Sequence, residues 1–254
     1  MIYTEEDFDT LIKKSANYSA KEQESPEWKL LKDLYEKNYV QASDMSEKIP
    51  PKIHQIWLGG ELPERFQKWC MTWRECHPHY EYKLWTDKDV DSIVIEKRSH
   101  FDEATNLGQK SDILRYEILR QQGGIYVDTD FECLRPLDDL LFLKFFTGIS
   151  TDTNAQLYIG ILGSVPNHPI MVECATRPQM CYTGNNGDII MGTTGPYYFT
   201  KCFFDTAKKA PEGVVAFPMD FFYPFPGKER FTNTSRNYIT PISYAVHHWK
   251  TSWL

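Results

Sequence analysis

The stretch "SDILRYEILRQQGGIYVDTDF", residues 111–131, decides how the rest of the chain is read. Its first half carries Ile113, Leu114 and Ile118 at helical spacing, with Ser111 as N-cap and Gly123 near the end, and reads as a helix. "IYVDTDF" is a short apolar run, the pattern of a buried strand. A helix that turns through two glycines into a buried strand is the repeating unit of an α/β fold with a largely parallel sheet. The strand ends on Asp128 and Asp130 with one threonine between them. Two carboxylates so close repel each other, and neither has a Lys or Arg beside it in sequence. A positive charge brought from elsewhere is therefore expected there.

Working outward, "IPPKIHQIWLGG" (residues 49–60) supplies an earlier strand through Ile53, Ile56, Trp57 and Leu58, closed by two glycines. "PERFQKWCMTWRECHP" reads as a helix and "YEYKLWT" as the next strand, which continues the alternation. Upstream, residues 1–48 read as a polar, helical N-terminal extension. Thr4 is a candidate cap there, followed by Phe8, Leu11 and Ile12; Ser25 and Pro26 open a second helix whose Trp28, Leu31, Leu34 and Tyr35 form a stripe that packs on the main body. Residues 49–254 are taken as one domain. Its later part is richer in strands ("FFTGIS", "LYIGILGS", "VVAFPMDFFYPF", "ISYAVHHW"), with "NNGDIIMGTTGPYYFT" and "FPGKERFTNTSRN" read as turn-prone.

Composition sets bounds on function. The chain has 254 residues, 41% of them hydrophobic, enough for a full core. A net charge of -7 disfavours a nucleic-acid surface, though not a local pocket for one phosphate-bearing ligand. No apolar run approaches the roughly 20 residues that span a bilayer. The acidic N-terminus is unlike a signal peptide, and the six scattered cysteines read as reduced thiols. A cytoplasmic location is expected, with peripheral attachment to a membrane left open.

The residue types then suggest a chemistry. In α/β sheets ligands gather beyond the carboxyl ends of strands, where Asp128 and Asp130 lie. Hard oxygens there suit Mg²⁺ or Mn²⁺ bridging to substrate phosphates; the plain alternative is a turn, in which Asp is common. Asp112 and Arg115, at i,i+3 in the first turns of the helix, share one face; alone they read equally as a surface ion pair. From its strand pattern Trp57 reads as core. "CHPH", residues 76–79, lacks the second ligand pair of a zinc site. "GTTGP", residues 192–196, lacks the Gly-Lys-Ser/Thr ending of a phosphate loop.

Taken together, "GQKSDILRYEILRQQGGIYVDTDFECLRPL", "PPKIHQIWLGG" and "HHWKTSW" resemble, in order, segments of glycosyltransferase family 32, and are similar to the glucosyltransferase domains of large clostridial toxins. The resemblance spans roughly residues 50–254. It implies a GT-A fold, a Rossmann-like mixed sheet flanked by helices, that binds a nucleotide-sugar with a divalent metal. By matching positions, Asp128 and Asp130 form the DXD motif on metal and diphosphate, and Asp112 and Arg115 hydrogen-bond the donor sugar. Tyr126 lies beside the donor, Trp57 stacks on the base, and Ser252 with Trp253 closes over the diphosphate. His247 or His248 adds a metal ligand, and "GTTGP" lies near the acceptor.

The implied activity is retaining, metal-dependent (Mn²⁺ or Mg²⁺) transfer from a nucleotide-sugar, a UDP-sugar before GDP-mannose, to a glycan or glycolipid acceptor in capsular or surface polysaccharide or glycoconjugate synthesis. No residue stands out as the nucleophile that double displacement requires. Same-face attack is expected instead. The rival readings are a toxin-like protein glucosyltransferase, a non-catalytic nucleotide-sugar-binding module and, less in keeping with Trp57 and Asp112, a metal-dependent phosphohydrolase.

Overall fold

The computed structural model describes residues 7–15, 24–150, 155–177, 185–232 and 234–250. Thr4, Cys181, Ser252 and Trp253 lie outside the described residues. The strands are β1 (Lys52–Ile56), β2 (Glu81–Trp85), β3 (Gly124–Val127), β4 (Phe131–Cys133), β5 (Phe145–Ile149), β6 (Leu157–Ser164), β7 (Val214–Phe217) and β8 (Ala245–His247). Six of them form one sheet in the order β2-β1-β3-β6-β5-β7, while β4 and β8 make a separate two-stranded ribbon. Every pairing in the large sheet is parallel except the two made by β6. This is the mixed, mainly parallel α/β architecture that the helix–glycine–strand unit led us to expect.

The inner strands β3, β6 and β5 are buried along their whole length, as in a sheet covered on both faces, and so is the edge strand β7. The helices are α1 (Phe8–Ser15), α2 (Pro26–Tyr35), α3 (Glu64–Cys76), α4 (Arg98–Glu103), α5 (Leu107–Gln122), α6 (Pro169–Thr176), α7 (Asn186–Thr193) and α8 (Pro196–Ala207). The passage from α5 into β3 depends on its glycines. Gly123 and Gly124 have φ of +63° and +95°, and a Cβ on Gly123 would lie 2.6 Å from the Pro166 ring.

Three expectations are revised. The α5 helix starts at Leu107, not Ser111, because the Asn106 side chain accepts hydrogen bonds from the Gly108 and Gln109 amides and caps it a turn earlier. Asp112 and Arg115 thus sit in mid-helix, away from the N-terminal dipole. The segment "NNGDIIMGTTGPYYFT", read as turn-prone, contains α7 and the first part of α8: Asn185 caps one, Pro196 opens the other, and Tyr198, Phe199, Cys202 and Phe203 bury the second. The strand expected through Leu58 stops at Ile56, although the Trp57 amide still donates to the Trp85 carbonyl of β2 at 2.8 Å.

The N-terminal helices belong to the same hydrophobic core as the sheet. The Ser25 side chain accepts from the Trp28 amide, and the expected stripe is buried. The Tyr35 ring meets Phe217 and Phe221 at 6.1 and 6.3 Å, and Asn38 donates to the carbonyls of Pro211 and Val214 at the start of β7. Each such buried side chain contributes about 1.5–3 kcal/mol.

Candidate active site

The chain leaves β3 at Val127 and turns at once: the Phe131 amide donates to the Asp128 carbonyl at 3.2 Å. Residues 128–130 are therefore not extended, and the turn, not strand alternation, places both carboxylates on one side. Gly160 of β6 lies alongside, where a Cβ would come within 2.9 Å of Asp128 Oδ2. The Gln55 side-chain amide supports the turn: its Nε2 donates to the Asp128 carbonyl, and the Tyr82 hydroxyl donates to Gln55 Oε1.

Asp128 has a basic partner that its neighbours in sequence do not supply. Arg115 Nη1 lies 3.2 Å from Asp128 Oδ1, which also accepts from the Tyr126 hydroxyl at 2.6 Å. Arg115 spans the site: it pairs with Asp112 at 2.9 Å, donates to the Ile159 carbonyl at 2.8 Å and lies over the Tyr126 ring at 4.4 Å. With 6% and 8% of their side chains exposed, Arg115 and Asp112 are no surface ion pair. Burial lifts the Asp112 carboxyl to about 6, against the pull of Arg115 and of a hydrogen bond from Thr194 Oγ1 at 3.0 Å.

The other wall comes from the β4–β8 ribbon. Phe131 pairs with His247 in register, and the His247 ring stacks on Phe131 with Nε2 3.0 Å from Asp130 Oδ1. The chain then reverses at Trp249 (φ +53°), and the Lys250 amide donates to Asp130 Oδ2 at 2.8 Å. Burial opposes ionisation of both aspartates, yet their charges settle differently. His247 and the backbone amides hold Asp130 below the usual carboxylate range, whereas Asp128, despite Arg115, is pushed up by burial and by the Asp130 charge.

His247 and His248 separate cleanly. Among the described residues, Asp128, Asp130 and His247 present ligand atoms that all lie within 4.8 Å of one another. His248 faces away, bonded to Glu132 at 3.0 Å and stacked on Trp69 at 4.4 Å, and takes no part in that group. His247 Nδ1 is buried without a hydrogen-bond partner. Two carboxylates in mutual repulsion, with an imidazole beside them, form a donor set that suits a divalent cation taking oxygen and nitrogen ligands. The zinc-like "CHPH" run is structural: His77 Nδ1 donates to the Trp73 carbonyl and its Nε2 accepts from the Leu137 amide.

These groups open into a cleft of about 460 Å³. Trp57, half-buried and 4.9 Å from Phe66, lines it together with Leu58, Gly59 and Leu107. Across from them stand Tyr158, Tyr223 and Trp249, whose indole donates to the Phe225 carbonyl. Reading the sequence missed Gln55, Gly160, Tyr223, Thr194, Trp249 and the Lys250 amide. Trp249 and Lys250 stand inside the "HHWKTSW" segment, Gln55 inside "PPKIHQIWLGG" and Thr194 inside "GTTGP", whereas Gly160 and Tyr223 carried no signal.

Residues 63–146, which run from α3 to the start of β5 and thus hold Asp112, Arg115, Tyr126, Asp128 and Asp130, match the glycosyltransferase sugar-binding region containing the DXD motif. The chain thus contains a glycosyltransferase sugar-binding region of the DXD type. It is 29% identical over 177 residues to inositol phosphoceramide mannosyltransferase 3 of Schizosaccharomyces pombe, covering 66% of this chain and 48% of the relative. It is 32% identical over 166 residues to mannosyl phosphorylinositol ceramide synthase CSH1 of Saccharomyces cerevisiae, covering 60% and 42%. The chain thus spans somewhat under half the length of these curated relatives. Among solved structures, the PaToxG glycosyltransferase matches at 20% identity and a TM-score of 0.46, over 70% of this chain and 78% of that one.

Proposed function

We propose that this glycosyltransferase moves a sugar from a nucleotide-sugar to a glycan or glycolipid acceptor with a divalent metal, Mn²⁺ or Mg²⁺, and keeps the donor's anomeric configuration. The observation that carries this is the convergence of Asp128, Asp130 and His247 within 4.8 Å at the floor of a cleft that also holds Asp112, Arg115 and Trp57. A cation bound there neutralises charge on the departing diphosphate. Arg115 offers further donors to the diphosphate or the sugar, Asp112 accepts from sugar hydroxyls, and Trp57 gives the base a flat apolar face. Tyr126 fixes Asp128, Ser252 and Trp253 belong to the segment assigned to closure, and the aromatic wall limits water that would hydrolyse the donor.

Asp112, Asp128 and Asp130 are the carboxylates among the described residues lining the cleft, and each already has partners. This supports same-face attack, with the leaving diphosphate taking the acceptor's proton, over a covalent glycosyl-enzyme; a trapped adduct in mass spectrometry overturns it. The relatives whose names specify a sugar are mannosyltransferases, which sets GDP-mannose beside a UDP-sugar as donor. The test is release of free nucleotide from UDP- and GDP-sugars with Mn²⁺. Release from one donor that is lost in Asp130→Ala supports the reading. Metal-dependent nucleotide binding with no turnover, even with acceptors added, leaves a binding module instead.

A further inference from the structure

We propose that Thr194, between α7 and α8, is a positioning residue that sets the sugar-binding oxygen of Asp112; this rests on the donor-binding reading above. Asp112 has two oxygens, and each has one strong partner from a different element. Arg115 of the same helix takes Oδ1 at 2.9 Å, and Thr194 Oγ1 donates to Oδ2 at 3.0 Å. Arg115 is itself shared with Asp128 and the Ile159 carbonyl, so its position is set by the metal side of the site. Without a second point of attachment the Asp112 carboxylate can rotate about its own bond. Thr194 provides that point.

Thr194 is held in turn. The Tyr116 hydroxyl, rising from α5 one position after Arg115, donates to the Thr194 carbonyl at 2.7 Å. Tyr116 is fully enclosed and stacks against Phe199 of α8, with ring planes 10° apart. The residue is 7% exposed, and the alternative acceptor for its hydroxyl, the Ile190 carbonyl, lies at a longer 3.4 Å. Residues on either side of it, Ile190, Met191 and Pro196, line the cleft. The same short segment therefore forms one wall of the cleft and orients a carboxylate inside it. A hydrogen bond to an ionised acceptor is among the stronger kinds, and its loss inside a buried site weakens binding by about tenfold.

The test separates the sugar from the nucleotide. Calorimetry with Mn²⁺ would measure UDP against UDP-glucose and GDP against GDP-mannose, for wild type, Thr194→Val, Thr194→Ser and Thr193→Val. Thr193→Val is the neighbouring control, since the Thr193 hydroxyl donates to the Ile189 carbonyl and not to Asp112. The expected result is that Thr194→Val binds the nucleoside diphosphate as wild type does but loses about tenfold for the nucleotide-sugar. Thr194→Ser restores it and Thr193→Val leaves it intact. Equal losses for nucleotide and nucleotide-sugar, the same loss in Thr193→Val, or no gain from the sugar in the wild type each overturn the assignment. A wild-type protein that binds neither nucleotide-sugar nor nucleotide overturns the donor-binding reading first, and the Thr194 assignment with it.

Discussion

Two carboxylate–histidine pairs stand on the β4–β8 ribbon, alike in their own geometry and burial and different in what surrounds them. Asp130–His247 and Glu132–His248 are both 3.0 Å contacts, with side chains 11% and 13% exposed in the first and 13% and 14% in the second. Burial does not distinguish them; their neighbours do. Glu132 is also paired with Arg236, and His248 lies flat on Trp69, so that pair has its charge and its faces satisfied. Asp130–His247 has a second carboxylate, Asp128, beside it and an imidazole nitrogen with no partner. One pair is complete as it stands, and the other is left with a second carboxylate beside it and a buried imidazole nitrogen without a hydrogen-bond partner. A site is recognisable here by what its neighbours fail to satisfy.

The strongest way to break that contrast is substitution in parallel. Asp130→Ala should lower donor turnover by at least about a hundredfold and His247→Ala by about 10–100-fold. Glu132→Ala and His248→Ala should stay within about threefold of wild type in activity, but lose about 1–3 kcal/mol of stability in urea titrations, since the first strips His248 and Arg236 of their shared carboxylate and the second removes one of the two partners of Glu132 and the ring stacked on Trp69. Equal activity losses for His247→Ala and His248→Ala would remove the distinction. A second test needs no donor at all. Mn²⁺ at a hundred times its Kd should stabilise the wild type by about 2.7 kcal/mol in thermal melts, and Glu132→Ala by as much, with no gain in Asp130→Ala.

The sequence carried this contrast only in part. The α5–β3 unit was legible because its signals are local: an apolar helical face, two glycines, a buried run and two aspartates. Which histidine faces the cleft was not, because adjacent residues on a strand point to opposite faces and only the pairing of Phe131 with His247 sets the register. The Arg115–Asp128 contact was also hidden, since the two lie thirteen positions apart and meet only once α5 packs against β3. Gln55, Thr194 and Gly160 are ordinary residues in sequence; their roles come from the strands and loops that close on the turn. The helical character of residues 185–200 was masked by its glycines and asparagines, which here serve as caps.

Gly160 sharpens the comparison from the other side of the turn. A Cβ there would lie 2.8 Å from the Phe131 ring and 2.9 Å from Asp128 Oδ2. Gly160→Ala should therefore shift the Asp128 carboxylate and lower turnover by about tenfold, while overpacking costs about 1–3 kcal/mol of stability. If the variant loses stability but keeps full Mn²⁺-dependent turnover, the position of Asp128 is less constrained than its contacts indicate.

The smallest expected effect is a pH dependence that separates the two kinds of carboxylate without any substrate. Asp130 and Glu132 are held below the ordinary range, Asp130 by His247 and backbone amides and Glu132 by His248 and Arg236, each outweighing burial. Such groups contribute stability above their unfolded-state values, and that contribution is lost as pH falls through the folded ones, below about pH 4. Asp112 has the opposite sign. Burial lifts it to about 6, so between about pH 4 and pH 6 the folded protein retains a proton that the unfolded chain has lost. Stability therefore falls as pH rises through that window and levels off above it. In metal-free buffer, the wild-type Tm should drop between pH 4 and pH 6 by about 2–4 °C more than that of Asp112→Asn, which has no proton to lose. The two should behave alike below pH 4, where Asp130 and Glu132 govern both. A slope unchanged in Asp112→Asn would assign the window to Asp128, whose carboxyl burial also raises, and would leave Asp112 ionised by Arg115 and Thr194 throughout.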